Sequence, residues 1–99
     1  MGEAGWIPLC PGIEIKSLFV DREEGVEAMV LRFAPGAVLP AHRHSKTEEC
    51  LVLEGEVEID GLRLGPGDFH AISAGVPHPR ITSRNGGLFY VRGELRNAG

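Results

Sequence analysis

The segment from Gly36 to Gly55, GAVLPAHRHSKTEECLVLEG, decides how the rest of the chain is read. Its pattern is Gly-x5-His-x-His-x3-Glu-x6-Gly, set by Gly36, His42, His44, Glu48 and Gly55, and another histidine, His78, follows thirty residues after the glutamate. Residues two apart on a β-strand point to one face, about 6.6 Å apart, so the imidazoles of His42 and His44 can converge on one ion. A straight strand would carry Glu48 roughly 13 Å further on. The polar run Ser45, Lys46 and Thr47 supplies a bend that returns Glu48 beside the histidines from a neighbouring strand. A His-x-His pair alone reads more readily as two satisfied surface or core histidines. Joined by Glu48 and His78, the pair reads better as a metal site. Imidazole nitrogens with one hard carboxylate suit a first-row divalent ion: Fe, Mn, Ni, Co or Zn.

This stretch resembles the first motif of the cupin superfamily at every defined position. The segment from Gly67 to Thr82, GDFHAISAGVPHPRIT, is similar to the second. Gly67, Gly75 and His78 stand where that family has them, while Ser73 and Thr82 replace its proline and asparagine. Near the N-terminus, Trp6, Pro8, the Pro11-Gly12 pair, Lys16 and Leu18 fall in the pattern of ChrR-type cupin domains. The resemblance spans about residues 5–93 of a single 1–99 domain. It implies an all-β fold, a small antiparallel double-stranded β-helix or jelly-roll barrel. It also implies one metal ion held by His42, His44, Glu48 and His78. Strand alternation does not choose between Glu48 and Glu49, because Cys50 and Val52 on one face and Leu51 and Leu53 on the other are all apolar. The motif spacing favours Glu48.

The remaining chain suits that barrel. Fourteen glycines and seven prolines punctuate it, as many short strands joined by turns require. Strands are predicted over Ile13–Val20, Val38–His44, Glu48–Leu53, Glu56–Ile59, Leu62–Leu64, Phe69–Ser73, His78–Thr82 and Leu88–Val91. Asp60-Gly61 between apolar residues signals a two-residue hairpin. Val26–Ala34 is ambiguous: Val26, Met29, Val30 and Phe33 recur at helical spacing. Its shortness, its bounds at Gly25 and Pro35-Gly36, and its place before the first motif make it a strand.

Composition narrows the function classes. Hydrophobic residues make up 42% and charged ones 24%, as in an ordinary globular domain. The net charge is −4 with no basic run, so neither nucleic acid nor an anionic membrane is an expected partner. No apolar run nears the ~20 residues of a membrane span, and the N-terminus lacks a charged-then-apolar signal. A cytoplasmic location is expected, with Cys10 and Cys50 as reduced thiols. Ile13–Val20 and Glu48–Leu53 are apolar on both faces. A small barrel buries only one such face in its lumen, so a homodimer is expected to cover the other.

Three further residues are catalytic candidates. His70 shares strand parity with Ile72 and reads either as a proton donor near the metal or as a solvated imidazole. Arg80 shares the parity of His78 and reads either as a lumen cation for a carboxylate or enolate, or as a surface charge. Glu49 is the remaining carboxylate that can serve as a base. Trp6 and Tyr90 read as core or interface aromatics. Two functional classes follow from the resemblance. One is a small mononuclear metalloenzyme, with dioxygenase-like or Lewis-acid chemistry on a small oxygenated substrate. The other is a metal- or ligand-binding sensor or regulatory module with a structural Zn site.

Overall fold

The computed structural model describes residues 4–96, in which there are twelve strands and no helix. In chain order these are β1 (Ile7–Cys10), β2 (Ile13–Asp21), β3 (Val26–Phe33), β4 (Ala37–Leu39), β5 (His42–Arg43) and β6 (Glu48–Gly55). Then come β7 (Val57–Ile59), β8 (Leu62–Leu64), β9 (Phe69–Ile72), β10 (Pro77–His78), β11 (Ile81–Ser83) and β12 (Gly87–Glu94). All pair antiparallel, in a six-stranded sheet of order β1-β2-β3-β12-β6-β9, a four-stranded sheet of order β4-β11-β7-β8, and the pair β10-β5. This is a jelly roll.

The core lies between the two larger sheets. Ile13, Ile15, Met29, Leu31, Phe33, Val52, Phe89 and Val91 face inward from one, and Ala37, Val57, Ile59, Leu64 and Ile81 come from the other. Phe33 and Phe89 meet edge to face, with ring centroids 5.0 Å apart. Burying a side chain such as Phe89 contributes about 1.5–3 kcal/mol.

The helical spacing in Val26–Phe33 has a simple origin. β3 is central, pairing with β2 and β12 along its whole length. Met29, Leu31 and Phe33 fill the core side, while Ala28 and Val30 on the other face are also buried. A strand apolar on both faces shows no period of two, so its pattern does not distinguish it from a helix.

Two predicted strands are each broken in two. Val38–His44 becomes β4 and β5, with Pro40 between them. His78–Thr82 becomes β10 and β11, interrupted at Pro79. Proline has no N–H to give to a ladder, and at both points the chain leaves one sheet for another. The register there is short and specific: His78 lies directly opposite His42. The strand β1 was not foreseen. It covers the edge of β2, and nearby the Arg32 guanidinium sits 4.2 Å from the centroid of the Trp6 ring. The Asp60-Gly61 hairpin forms as its sequence implies, with φ of +52° and +78° and Ile59 opposite Leu62.

One buried ion pair ties down residues 94–96. Glu27 is 3% exposed and accepts bonds from Nε and Nη2 of Arg96, both at 3.0 Å. Those hydrogen bonds hold its carboxyl below the usual range, against the opposite pull of desolvation. Leu95 N–H donates to Gly25 O at 2.8 Å. These contacts lay the end of β12 beside the cluster described next.

Candidate metal centre

Four side chains from separate pieces of chain converge at one end of the barrel. Glu48 opens β6, and its parity with buried Cys50 and Val52 turns it inward. Glu49 points to the other side, where Arg92 Nη1 lies 3.9 Å from it. The fold thus separates two carboxylates that alternation in the sequence does not distinguish. His42 and His78 are cross-strand partners with stacked rings, 4.5 Å between centroids and 18° between planes. His44 lies one residue beyond β5, in the bend, with its ring edge-on to His42 at 4.5 Å. It therefore reaches the cluster from a loop, not through the strand parity that the sequence suggests.

The contacts are specific. Oε2 of Glu48 lies 3.6 Å from His42 Nε2, 3.2 Å from His44 Nε2 and 3.4 Å from His78 Nε2. Among the described residues this buried oxygen has no hydrogen-bond partner. The reason lies on the far side of the rings. His42 Nδ1 is 2.8 Å from Pro40 O, and His78 Nδ1 is 2.8 Å from Pro79 O. A carbonyl only accepts, so each Nδ1 carries the proton and each Nε2 is bare. Burial also pushes the His78 imidazole below its ordinary pKa, favouring the neutral form.

Bare nitrogens and a carboxylate oxygen aimed at one point repel each other unless a cation lies between them. With metal–ligand bonds of about 2.1 Å, two ligand atoms sit about 3.0 Å apart at right angles and about 3.4 Å apart at the tetrahedral angle. The observed separations of 3.2, 3.4 and 3.6 Å centre on the tetrahedral value and all exceed the right-angle one. His42, Glu48 and His78 form a group whose ligand atoms all lie within 4.8 Å of one another. These residues fit a divalent ion.

A cavity of about 330 Å³ opens onto His42, His44 and Glu48. Leu9, Met29, Leu31, Leu39 and Val91 make its walls apolar, and Glu94 and Arg96 add charges to its lining. Motif spacing did not reveal Glu94, which lies fifty residues after His44 and comes near it only through the pairing of β12 with β6. One oxygen, Oε1, accepts from the Ser45 hydroxyl and, at 3.0 Å, from Ser45 N–H. The other, Oε2, lies 3.5 Å from His44 Nδ1. The Ser45 bonds hold this carboxyl below its ordinary pKa.

The other candidates lie elsewhere. His70 is half-buried opposite Cys50, on the inward face of edge strand β9, two pairs along from Glu48 and Ile72. Arg80 is exposed and lines a separate surface cleft with Glu58 and Asp60. The break at Pro79 ends the parity that linked it to His78.

Solved structures share this architecture. An acetylacetone dioxygenase from Acinetobacter johnsonii superposes with a TM-score of 0.84 at 16% identity, over 95% of this chain and 70% of that one. An RmlC-like cupin from Shewanella frigidimarina gives 0.82 at 23%, over 99% and 90%. The anti-sigma ChrR, solved in complex with Rhodobacter sphaeroides SigE, gives 0.77 at 24%, over 93% of this chain and 49% of that one. No curated protein matches the sequence. The model of the ChrR cupin-like domain matches residues 1–95, and with the jelly roll and the histidine–glutamate cluster in place, the chain belongs to that family.

Proposed function

We propose that this protein binds one first-row divalent ion through His42, His44, Glu48 and His78 and works as a small mononuclear metalloenzyme on a small oxygenated compound. The observation that carries the proposal is the buried, unpartnered Oε2 of Glu48, facing three imidazole nitrogens at the base of an apolar cavity. Bound there, the ion supplies Lewis-acid or dioxygen chemistry. The chain's own part is to hold the ion and to shape its access. The Leu9, Met29, Leu31, Leu39 and Val91 walls exclude water, which strengthens electrostatic effects on a bound oxygen. Arg96 is engaged by Glu27, so it is not an unpaired cation awaiting an anionic substrate.

The test uses protein reconstituted with Fe(II). Nitric oxide or a small chelating diketone is expected to change its visible spectrum by binding at the metal. An Fe(II)-loaded site whose spectrum ignores both would overturn the metalloenzyme reading. It would favour a second one, a sensory or regulatory module with a structural ion, which membership of the ChrR cupin-like family also supports.

The same proposal includes a homodimer in the cytoplasm. Among the described residues both cysteines are free, as a reducing compartment requires. Burial pushes the Cys50 thiol up to about 11, as for an inert core residue. On the outer face of the six-stranded sheet, Val30, Tyr90, Leu51 and Phe69 form one row across four strands, and Leu53 and Phe19 flank it. Phe69 is 57% and Phe19 64% exposed. A twofold partner laid on this face would bury them. Sedimentation at micromolar concentration is expected to show a dimer, and Phe69→Glu to shift it towards monomer. A monomeric parent protein would sink this part of the proposal.

A further inference from the structure

The three imidazoles of the cluster are not oriented alike. His42 and His78 each lean on a backbone carbonyl within two residues, at 2.8 Å, an anchor that no substitution elsewhere removes. His44 has no such anchor. The group facing its Nδ1 is a side chain, Glu94, at 3.5 Å, which is long for a hydrogen bond. His44 is also the member that falls outside the tight three-residue group.

Glu94 is itself well held. Ser45 fixes its Oε1 through both backbone N–H and hydroxyl, leaving Oε2 turned to His44. The base of the same bend is pinned from another side, because Gly75 N–H donates to His44 O at 2.9 Å and Ala74 N–H to Thr47 Oγ1 at 3.3 Å. The bend thus has anchors besides the Ser45 bonds of Glu94. The oxygen of Glu94 that Ser45 leaves free, Oε2, is the one that faces the His44 ring.

We infer that Glu94 is the positioning residue for His44: it accepts from Nδ1–H, so that the bare Nε2 faces Glu48 and the ion. This rests on the metal-site reading above, which concerns only the four ligands. A carboxylate in this place selects the ring tautomer and makes the other nitrogen more basic, and loss of such a partner typically costs 10–100-fold in metal affinity.

The experiment compares Glu94→Ala and Glu94→Gln with the parent protein. In the metal-free proteins at mildly alkaline pH, long-range proton–nitrogen NMR reports the tautomer of each histidine. His44 is expected to carry its proton on Nδ1 in the parent and to lose that preference in Glu94→Ala, while His42 and His78 stay unchanged. Cobalt(II) affinity should fall at least tenfold in Glu94→Ala, and Glu94→Gln, which keeps one acceptor oxygen, should recover part of it. An unchanged His44 tautomer in Glu94→Ala overturns the inference. So does a loss of affinity accompanied by altered signals from all three histidines and a lower melting temperature in both variants, which marks a general structural role. If the parent takes up no cobalt, the metal-site reading fails, while the tautomer comparison still decides the role of Glu94.

Discussion

Glu48→Gln is expected to abolish metal binding and, in the same molecule, to make the metal-free protein more stable. The two effects have one cause. In the metal-free protein Oε2 of Glu48 is buried, has no donor among the described residues, and faces the bare Nε2 atoms of His78 at 3.4 Å and His42 at 3.6 Å. An unsatisfied buried acceptor costs about 1–3 kcal/mol, more when charged. A glutamine amide places N–H donors where those nitrogens can accept. The gain should be about 1 kcal/mol, the size of an ordinary net hydrogen bond. The loss is the anionic ligand, so metal content should fall well below one ion per chain. Urea unfolding of metal-free protein and elemental analysis of the loaded protein measure the two sides. His78→Ala should lower metal content as severely but leaves a void in place of a buried ring, so it should destabilise the fold instead. If Glu48→Gln keeps full occupancy, the carboxylate is not a ligand. If it destabilises the metal-free protein, the cluster is a hydrogen-bonded structural network instead.

The largest stability loss is expected from Gly55→Ala. Gly55 ends β6 with φ of +77°, opposite Gly87 in β12. A Cβ there would meet Gly86 O at 2.2 Å and Gly87 Cα at 2.6 Å, both backbone atoms. The left-handed conformation costs a non-glycine residue about 1–2 kcal/mol. The backbone collision cannot be relieved by a side-chain rotation and should bring the total to about 4 kcal/mol or more. Gly61→Ala is the control, with φ of +78° and nothing within 4 Å of the added carbon. It should lose only the conformational part, about 1–2 kcal/mol. Denaturant midpoints at constant slope compare the two. Equal losses would show that β6 and β12 separate easily at Gly55. The last glycine of the first motif is thus required for the approach of two strands, and no ligand depends on it directly.

How much was legible depended on whether the information was local. The family, the all-β class, the Asp60-Gly61 hairpin and the side chains around Glu48 Oε2 were readable because each is written in motif spacing: histidines two apart, a glutamate four further on, His78 in a second motif, a turn pair between apolar neighbours. Such spacings survive in any fold that keeps the motif. Periodicity failed where both faces of a strand are covered. It misdescribed Val26–Phe33 as helix-like and left Glu48 and Glu49 equivalent.

Only the tertiary structure separated that pair, because burial of Cys50 and Val52 defines an inward face that carries Glu48, while Arg92 holds Glu49 on the other side. It also divided the two ligand strands at Pro40 and Pro79, where the chain changes sheets and parity no longer carries over. Arg80 is therefore separated from His78, and His44 works from a bend. Glu94 and the apolar walls of the cavity come from β1, β3, β4 and β12, distant in sequence and joined only by strand register. The sequence by itself determined which donor side chains meet at Glu48 Oε2, since His42, His44 and Glu48 stand at short offsets in one motif and His78 in a second. The shape and lining of the space beside those ligands was decided by packing between sheets, which no single stretch of this chain encodes.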